Sequence, residues 1–254
     1  MFNKKEQPKI IFETEHWFVR KFSPIRPASE FIPDYWKSIP TYIEKKEHPI
    51  DGTKTVKACP AVADLMTAGY VLPAWCDIEL LPDVNDPKRE VVYARYSSPY
   101  FNHAIHGSDQ VGPVLEQKFN IRSVIRLDNP WKIWCAPGYS LMYQPLYYWP
   151  ERNWEALPGI LDQDKGGIVS VINTMMKKPE RTIIKQGEPI VQIIPFKREP
   201  FSAVTRSLSK EGIERANAIN GLHKMLFKGW RSLTTEKKTY DIENLDTDLP
   251  GDIK

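Results

Sequence analysis

The chain has 254 residues with a formal net charge of +3, 41% hydrophobic and 26% charged residues, the make-up of an ordinary globular protein with a substantial core. No apolar run approaches the roughly 20 residues that span a bilayer, the charge does not demand a polyanionic partner, and MFNKKEQPKIIF has no apolar h-region of a secretory signal. Three scattered cysteines, Cys59, Cys76 and Cys135, read as free thiols, while 22 prolines and 8 tryptophans predict extended chain held by aromatic packing.

In chain order, residues 8–22 are expected to form one or two short strands. Pro33 suits the first position of a short helix over 33–37, and 59–66 reads as a helix with Pro60 in its first turn and Gly69 at its end. Alternation predicts a strand over 70–81 with one wet face, and a turn at 83–88 makes 74–96 a hairpin. Residues 97–113 read as loop and 114–127 as extended chain. After Arg198 the character changes: Ser209 is placed to cap a helix reaching about Lys228, followed by a polar tail.

The most informative stretch is Trp131 to Arg198. Ile133, Leu141 and Tyr143, then Ile168 to Ile172, then Ile183-Ile184 and Ile190 to Ile194 form apolar segments broken by Pro137-Gly138, Gly166-Gly167 and Gly187. We expect short strands near 131–136, 139–144, 168–173 and 189–196, with Gly187 turning the chain between Ile183-Ile184 and Ile190–Ile194.

Within it stand Ala136-Pro137-Gly138-Tyr139, Pro158-Gly159-Ile160-Leu161-Asp162-Gln163-Asp164, Asn173 and Gly187-Glu188-Pro189-Ile190-Val191-Gln192. Their order and spacing resemble the trimeric dUTPase and dCTP-deaminase-like β-clip family, with its "PPGY", "PGxID-D", strand-end Asn and "GDRIAQ" motifs. Ala68-Gly69-Tyr70-Val71-Leu72 echoes that family's "AGYDL" segment. The resemblance implies a mainly-β fold with α+β embellishments: a β-clip, dUTPase-like core at about 131–198 with N-terminal additions and a C-terminal helix. We divide the chain into a β-rich domain over 1–200 and a helix with extended tail over 201–254.

The resemblance also implies that Asp162 activates the water that attacks the nucleotide. The plainer alternative is that Asp162 and Asp164 bond the amides of their own turn. Departures from the family weigh on the plain side. Lys165 stands where a Tyr packs on the sugar, Gln144-Pro145-Leu146-Tyr147 replaces the phosphate-binding "PRSG", and no Gly-rich closing motif follows Lys197. The aromatics Tyr143, Tyr147, Tyr148, Trp149 and Trp154 either stack a base or sugar or are buried against another chain or the N-terminal half. Gln192, beside Asp164 and Lys165, completes the ligand or interface candidates.

His103 and His106 lack the partners of a metal site, and Lys177-Lys178 with Arg181 and Lys185 reads as a solvated hairpin tip. TVKACPAVADLMTAGYVLPAWCDIEL, PGILDQDKGG and GEPIVQIIPFKRE are also similar to an uncharacterised family encoded by tailed bacteriophages. The resulting expectation is a non-enzymatic β-clip homotrimer, a structural or binding component of a phage particle, located in the host cytoplasm or the virion. The alternatives are a divergent dUTPase- or deaminase-like enzyme using Asp162 and Mg²⁺, and a carbohydrate- or nucleotide-binding module. Apart from that Mg²⁺, no cofactor is expected. Other phage structural proteins are the expected partners; membrane and nucleic acid are not.

Overall fold

Short β-branched segments punctuated by proline and glycine do build sheets here. The computed structural model describes residues 7–43, 54–83, 85, 92–107, 110, 124–165, 171–178, 180–205, 207, 209–210 and 212–214. The chain divides into two units, residues 1–198 and 199–254.

The first unit is mainly β. In chain order its elements are β1 (Ile10–Glu13), α1 (Trp17–Phe22), β2 (Arg26–Pro27), α2 (Asp34–Ser38), α3 (Pro60–Thr67), β3 (Tyr70–Pro73), β4 (Ile78–Pro82), β5 (Val92–Tyr96) and β6 (His103–His106). There follow β7 (Val124–Asp128), β8 (Lys132–Cys135), β9 (Tyr139–Gln144), β10 (Trp154–Ala156), β11 (Gly159–Leu161), β12 (Val171–Met176), β13 (Thr182–Ile184) and β14 (Pro189–Lys197). They assemble four sheets with orders β1-β8, β10-β12-β7-β6, β11-β9-β14-β3-β2 and β13-β4-β5. Each strand pairing is antiparallel. Among the described residues of 131–198 no parallel sheet with crossover helices occurs.

A single large apolar cluster joins the sheets, with Leu72, Trp75, Ile78, Leu80, Ile125, Leu127, Ile133, Leu141 and Ile193 fully or almost fully buried. Among the described residues no helix is long and apolar enough to cross a membrane.

Both proline-started helices form. Pro33 precedes Asp34–Ser38, and Pro60 opens α3, which ends just before Gly69. Gly69 has φ +64°, and a Cβ there would lie 2.1 Å from the Ile193 carbonyl oxygen, so this position excludes every side chain. The 74–96 hairpin also forms, as β4 paired with β5 from Ile78↔Tyr96 to Pro82↔Val92.

Three expectations need correction. Residues 17–22 form a helix, closed by the Arg20 amide on the His16 carbonyl at 3.2 Å, because six residues are too few to display a helical period. Residues 103–106, read as loop, are strand β6, paired with β7.

The segment 70–81 is two strands in different sheets. The chain turns at Ala74, which exchanges backbone hydrogen bonds with Glu188 (2.8 Å) and Gly187 (2.9 Å), and both Trp75 and Cys76 are buried, breaking the expected alternation. Gly187 turns the chain with positive φ (82°), as expected, and the segments it joins go to different sheets. β13 bonds to β4, whereas β14 lies between β9 and β3. The strands expected near 131–136, 139–144, 168–173 and 189–196 are therefore spread over three sheets.

In the second unit the Ser209 Oγ accepts the Gly212 amide at 3.1 Å and its carbonyl accepts the Ile213 amide at 2.9 Å, the bonds of a helix N-cap. The expected continuation to 228 and the tail lie outside the described residues, as does the Gly166-Gly167 turn.

Candidate functional site

The Pro158–Asp164 segment leaves β11 and turns beside the start of β9. Asp162 Oδ1 accepts the Ser140 hydroxyl at 2.6 Å and lies 3.0 Å from Arg198 Nη1, while Lys165 Nζ stands 3.8 Å from its other oxygen. Asp164 is nearly buried; one oxygen accepts the Gly138 amide at 2.8 Å and also takes the other arm of Arg198. Arg198 further donates to the Tyr139 carbonyl and the Ser140 hydroxyl, each at 3.0 Å.

Strand register explains this meeting. Phe196 faces Ser140 and Lys197 faces Tyr139, and the Arg198 amide continues the ladder to the Gly138 carbonyl at 2.8 Å.

The electrostatics follow the contacts. The Ser140 hydrogen bond, then the Arg198 charge and the Lys165 ammonium, hold the Asp162 carboxyl below its ordinary range. Arg198 and the Gly138 amide do the same for Asp164, and Asp164 in turn raises Arg198. Burial, followed by the Asp164 charge, pushes the nearby Cys135 thiol up. Both carboxylates are ionised at neutral pH and each pairs with Arg198, which comes from beyond the end of β14 rather than from their own turn. Among the described residues no group of three or more His, Cys, Asp and Glu is placed to hold a metal.

Gln144 and Gln192 sit opposite each other on β9 and β14. Both are buried, and Gln144 Nε2 donates to Gln192 Oε1 at 3.0 Å. Gln192 Nε2 donates to the carbonyls of Leu65 and Ala68, each at 2.7 Å, at the end of α3. This pair ties helix to sheet.

The aromatic run divides. Tyr143 is in the core, its hydroxyl donating to Gln163 Oε1 at 2.7 Å. Tyr148 meets Trp36 with ring centroids 5.5 Å apart, and its carbonyl accepts the Tyr35 hydroxyl. Leu146, Tyr147 and Trp149 join Tyr148 around a small apolar cavity of about 30 Å³ closed by Phe31, Pro33 and Met66. Part of the run is thus buried against the N-terminal half, one of the expected uses.

On its other side the run opens onto a hollow of about 330 Å³ between Pro145 and Ala156, with Lys177 and Ile190 on its far wall. Tyr147 is 65% exposed at this rim, whereas Trp154 is 4% exposed. The Arg152 guanidinium lies over both Trp149 (5.3 Å) and Trp154 (5.0 Å). Arg152 also pairs with Glu188 at 3.5 Å and donates to the Pro189 carbonyl. Its Nη2 is buried with no hydrogen-bond partner, and burial pushes its pKa down to about 10 against the pull of Glu188, leaving it charged at neutral pH.

The remaining candidates are structural. His103 and His106, three apart on a strand, point to opposite faces; His103 Nε2 accepts the Ala94 amide at 3.3 Å, and His106 bonds Gln110 at 3.2 Å. In the basic group, Lys177 pairs with Glu155, Arg181 with Glu79 and Lys185 with Asp77. Arg198, Ser140 and Arg152 were not singled out in the sequence. Only the charge of Arg198 directly beyond β14 signals its role, and the aromatic neighbours of Arg152 signal that of Arg152. No family model matches the chain, and no curated protein matches it either.

Proposed function

We propose that this is a non-enzymatic, self-associating β-clip protein, a homotrimer that serves as a structural or binding component of a phage particle and resides in the host cytoplasm or the virion. Support for the fold comes from the sheet order β11-β9-β14-β3. It brings Pro158–Asp164 beside Ala136–Tyr139 and Gly187–Gln192 beside Ala68–Leu72 within one sheet, four segments that resemble family motifs. Asn173 lies on β12 in another sheet. Support for association comes from β11, the edge strand of its sheet among the described residues, whose Ile160 is 59% exposed.

The observation that carries the non-enzymatic reading is the closure of Asp162 and Asp164 on Arg198, Ser140 and Gly138. A general base needs a lone pair aimed at a positioned water, and here one oxygen of each carboxylate is engaged by the protein, Asp162 Oδ1 by Ser140 and Arg198 and Asp164 Oδ2 by Gly138 and Arg198. Light scattering on the purified chain should give three times its 29.4 kDa mass. Incubation with each deoxynucleoside triphosphate and Mg²⁺ should yield neither pyrophosphate nor ammonia. A monomer at micromolar concentration overturns the association. Turnover of about 1 s⁻¹ or more, abolished by Asp162→Ala in a folded protein, overturns the non-enzymatic reading.

A further inference from the structure

We propose that the hollow beside Trp149 binds a neutral saccharide ring. The site is separate from Asp162 and does not depend on the oligomeric state. Its space, about 330 Å³, falls in the roughly 300–1,000 Å³ range of small-ligand sites. Its lining is of two kinds: aromatic residues, Tyr147 and Trp149 among them, and the charged residues Glu151, Arg152, Glu155 and Lys177. A pyranose presents the same two kinds of surface, an apolar C–H face and a rim of hydroxyls.

Charge decides against an anionic ligand. Two carboxylates and two cations line the hollow, and one of those cations, Arg152, is held by Glu188, the Pro189 carbonyl and two indole rings, with its unpartnered Nη2 buried. A phosphate entering here would meet Glu151 and Glu155 with Lys177 as its main attraction. For a neutral ligand that balance costs nothing.

Lys177 and Glu155 supply the polar recognition. Nζ stands 3.9 Å from Oε2, beyond direct hydrogen-bond reach, so a hydroxyl can accept from the ammonium and donate to the carboxylate. Arg152 serves as a positioning residue: wedged between the two tryptophans and bonded to β14, it sets the tilt of the Trp149 ring.

The purified full chain is titrated, by calorimetry and tryptophan fluorescence, with the methyl glycosides of glucose, galactose, mannose, N-acetylglucosamine and rhamnose. Deoxyuridine monophosphate and inorganic phosphate are titrated in parallel. At least one glycoside is expected to bind with Kd below about 10 mM. Tyr147→Ala, at an exposed position, and Glu155→Gln should each weaken it about tenfold. Trp17→Ala, an exposed aromatic elsewhere, should leave it unchanged. Circular dichroism confirms that each variant is folded. The proposal is overturned if none of the five glycosides binds, if Tyr147→Ala and Glu155→Gln bind as the Trp17→Ala control does, or if phosphate or the nucleotide competes for the site.

Discussion

Gln144 and Gln192 face each other across β9 and β14, and their amides meet at 3.0 Å inside the protein. Since Gln192 spends its own N–H groups on the Leu65 and Ala68 carbonyls, α3 is fastened to the sheet through one side chain. The loop after α3 needs this, because Gly69 passes against Ile193 too closely for any Cβ.

Gln192→Leu leaves two carbonyls and the Gln144 amide without their partner. Buried groups stranded in this way cost about 1–3 kcal/mol each, with partial relief from water and relaxation, so the variant should lose about 2–4 kcal/mol. Urea denaturation followed by tryptophan fluorescence measures it. A loss under about 0.5 kcal/mol, the level of an ordinary surface change, would show that the pair is not a structural tie.

Some of this was legible in the sequence. β9 and β14 announce themselves by Ile, Val, Leu and Tyr runs, and α3 by Pro60 and Gly69, because local propensity and burial agree there. Residues 70–81 mislead because a turn at Ala74, set by long-range bonds to Gly187 and Glu188, interrupts an alternation that reads as continuous. Asp162 stood out by its motif, but its state could not be read, since Ser140 reaches it through the pairing of β11 with β9 and Arg198 through the register of β14 on β9. The hollow was half legible: Tyr147 to Trp154 are conspicuous, while Lys177 arrives from the far end of β12.

His103 gives the fold a pH dependence. Its Nε2 accepts the Ala94 amide, a role open only to the neutral ring, and burial lowers its pKa from 6.5 against the opposing charge of Asp128. Above pH 6.5 folded and unfolded chains are both neutral at this group, and its contribution is constant. As pH falls below that value the unfolded chain takes up the proton first and stability drops, until the folded pKa is passed. Urea midpoints at about pH 7.5 and about pH 5 should therefore differ more for the wild type than for His103→Gln, whose amide oxygen can still accept the Ala94 N–H. An equal difference in both proteins would mean that His103 does not titrate with folding.

Arg198 gives an acid-side dependence of the other kind. Asp162 and Asp164 have folded pKa values depressed below 3.8. They therefore contribute stability that is present above that value and lost as pH falls through the folded pKa values. Arg198→Gln keeps a hydrogen-bonding head but removes the cation, so the depression shrinks. The wild type should be more stable than the variant from neutral pH down to about 5, and the gap should narrow toward about pH 2 as both carboxylates take up protons. Added salt should narrow it as well at neutral pH, chiefly through the half-exposed Asp162, and less through the nearly buried Asp164. Denaturation midpoints of both proteins across this range decide the matter. A gap that stays constant with pH would mean that Arg198 acts through its bonds to the Tyr139 carbonyl and Ser140 hydroxyl rather than through the carboxylates.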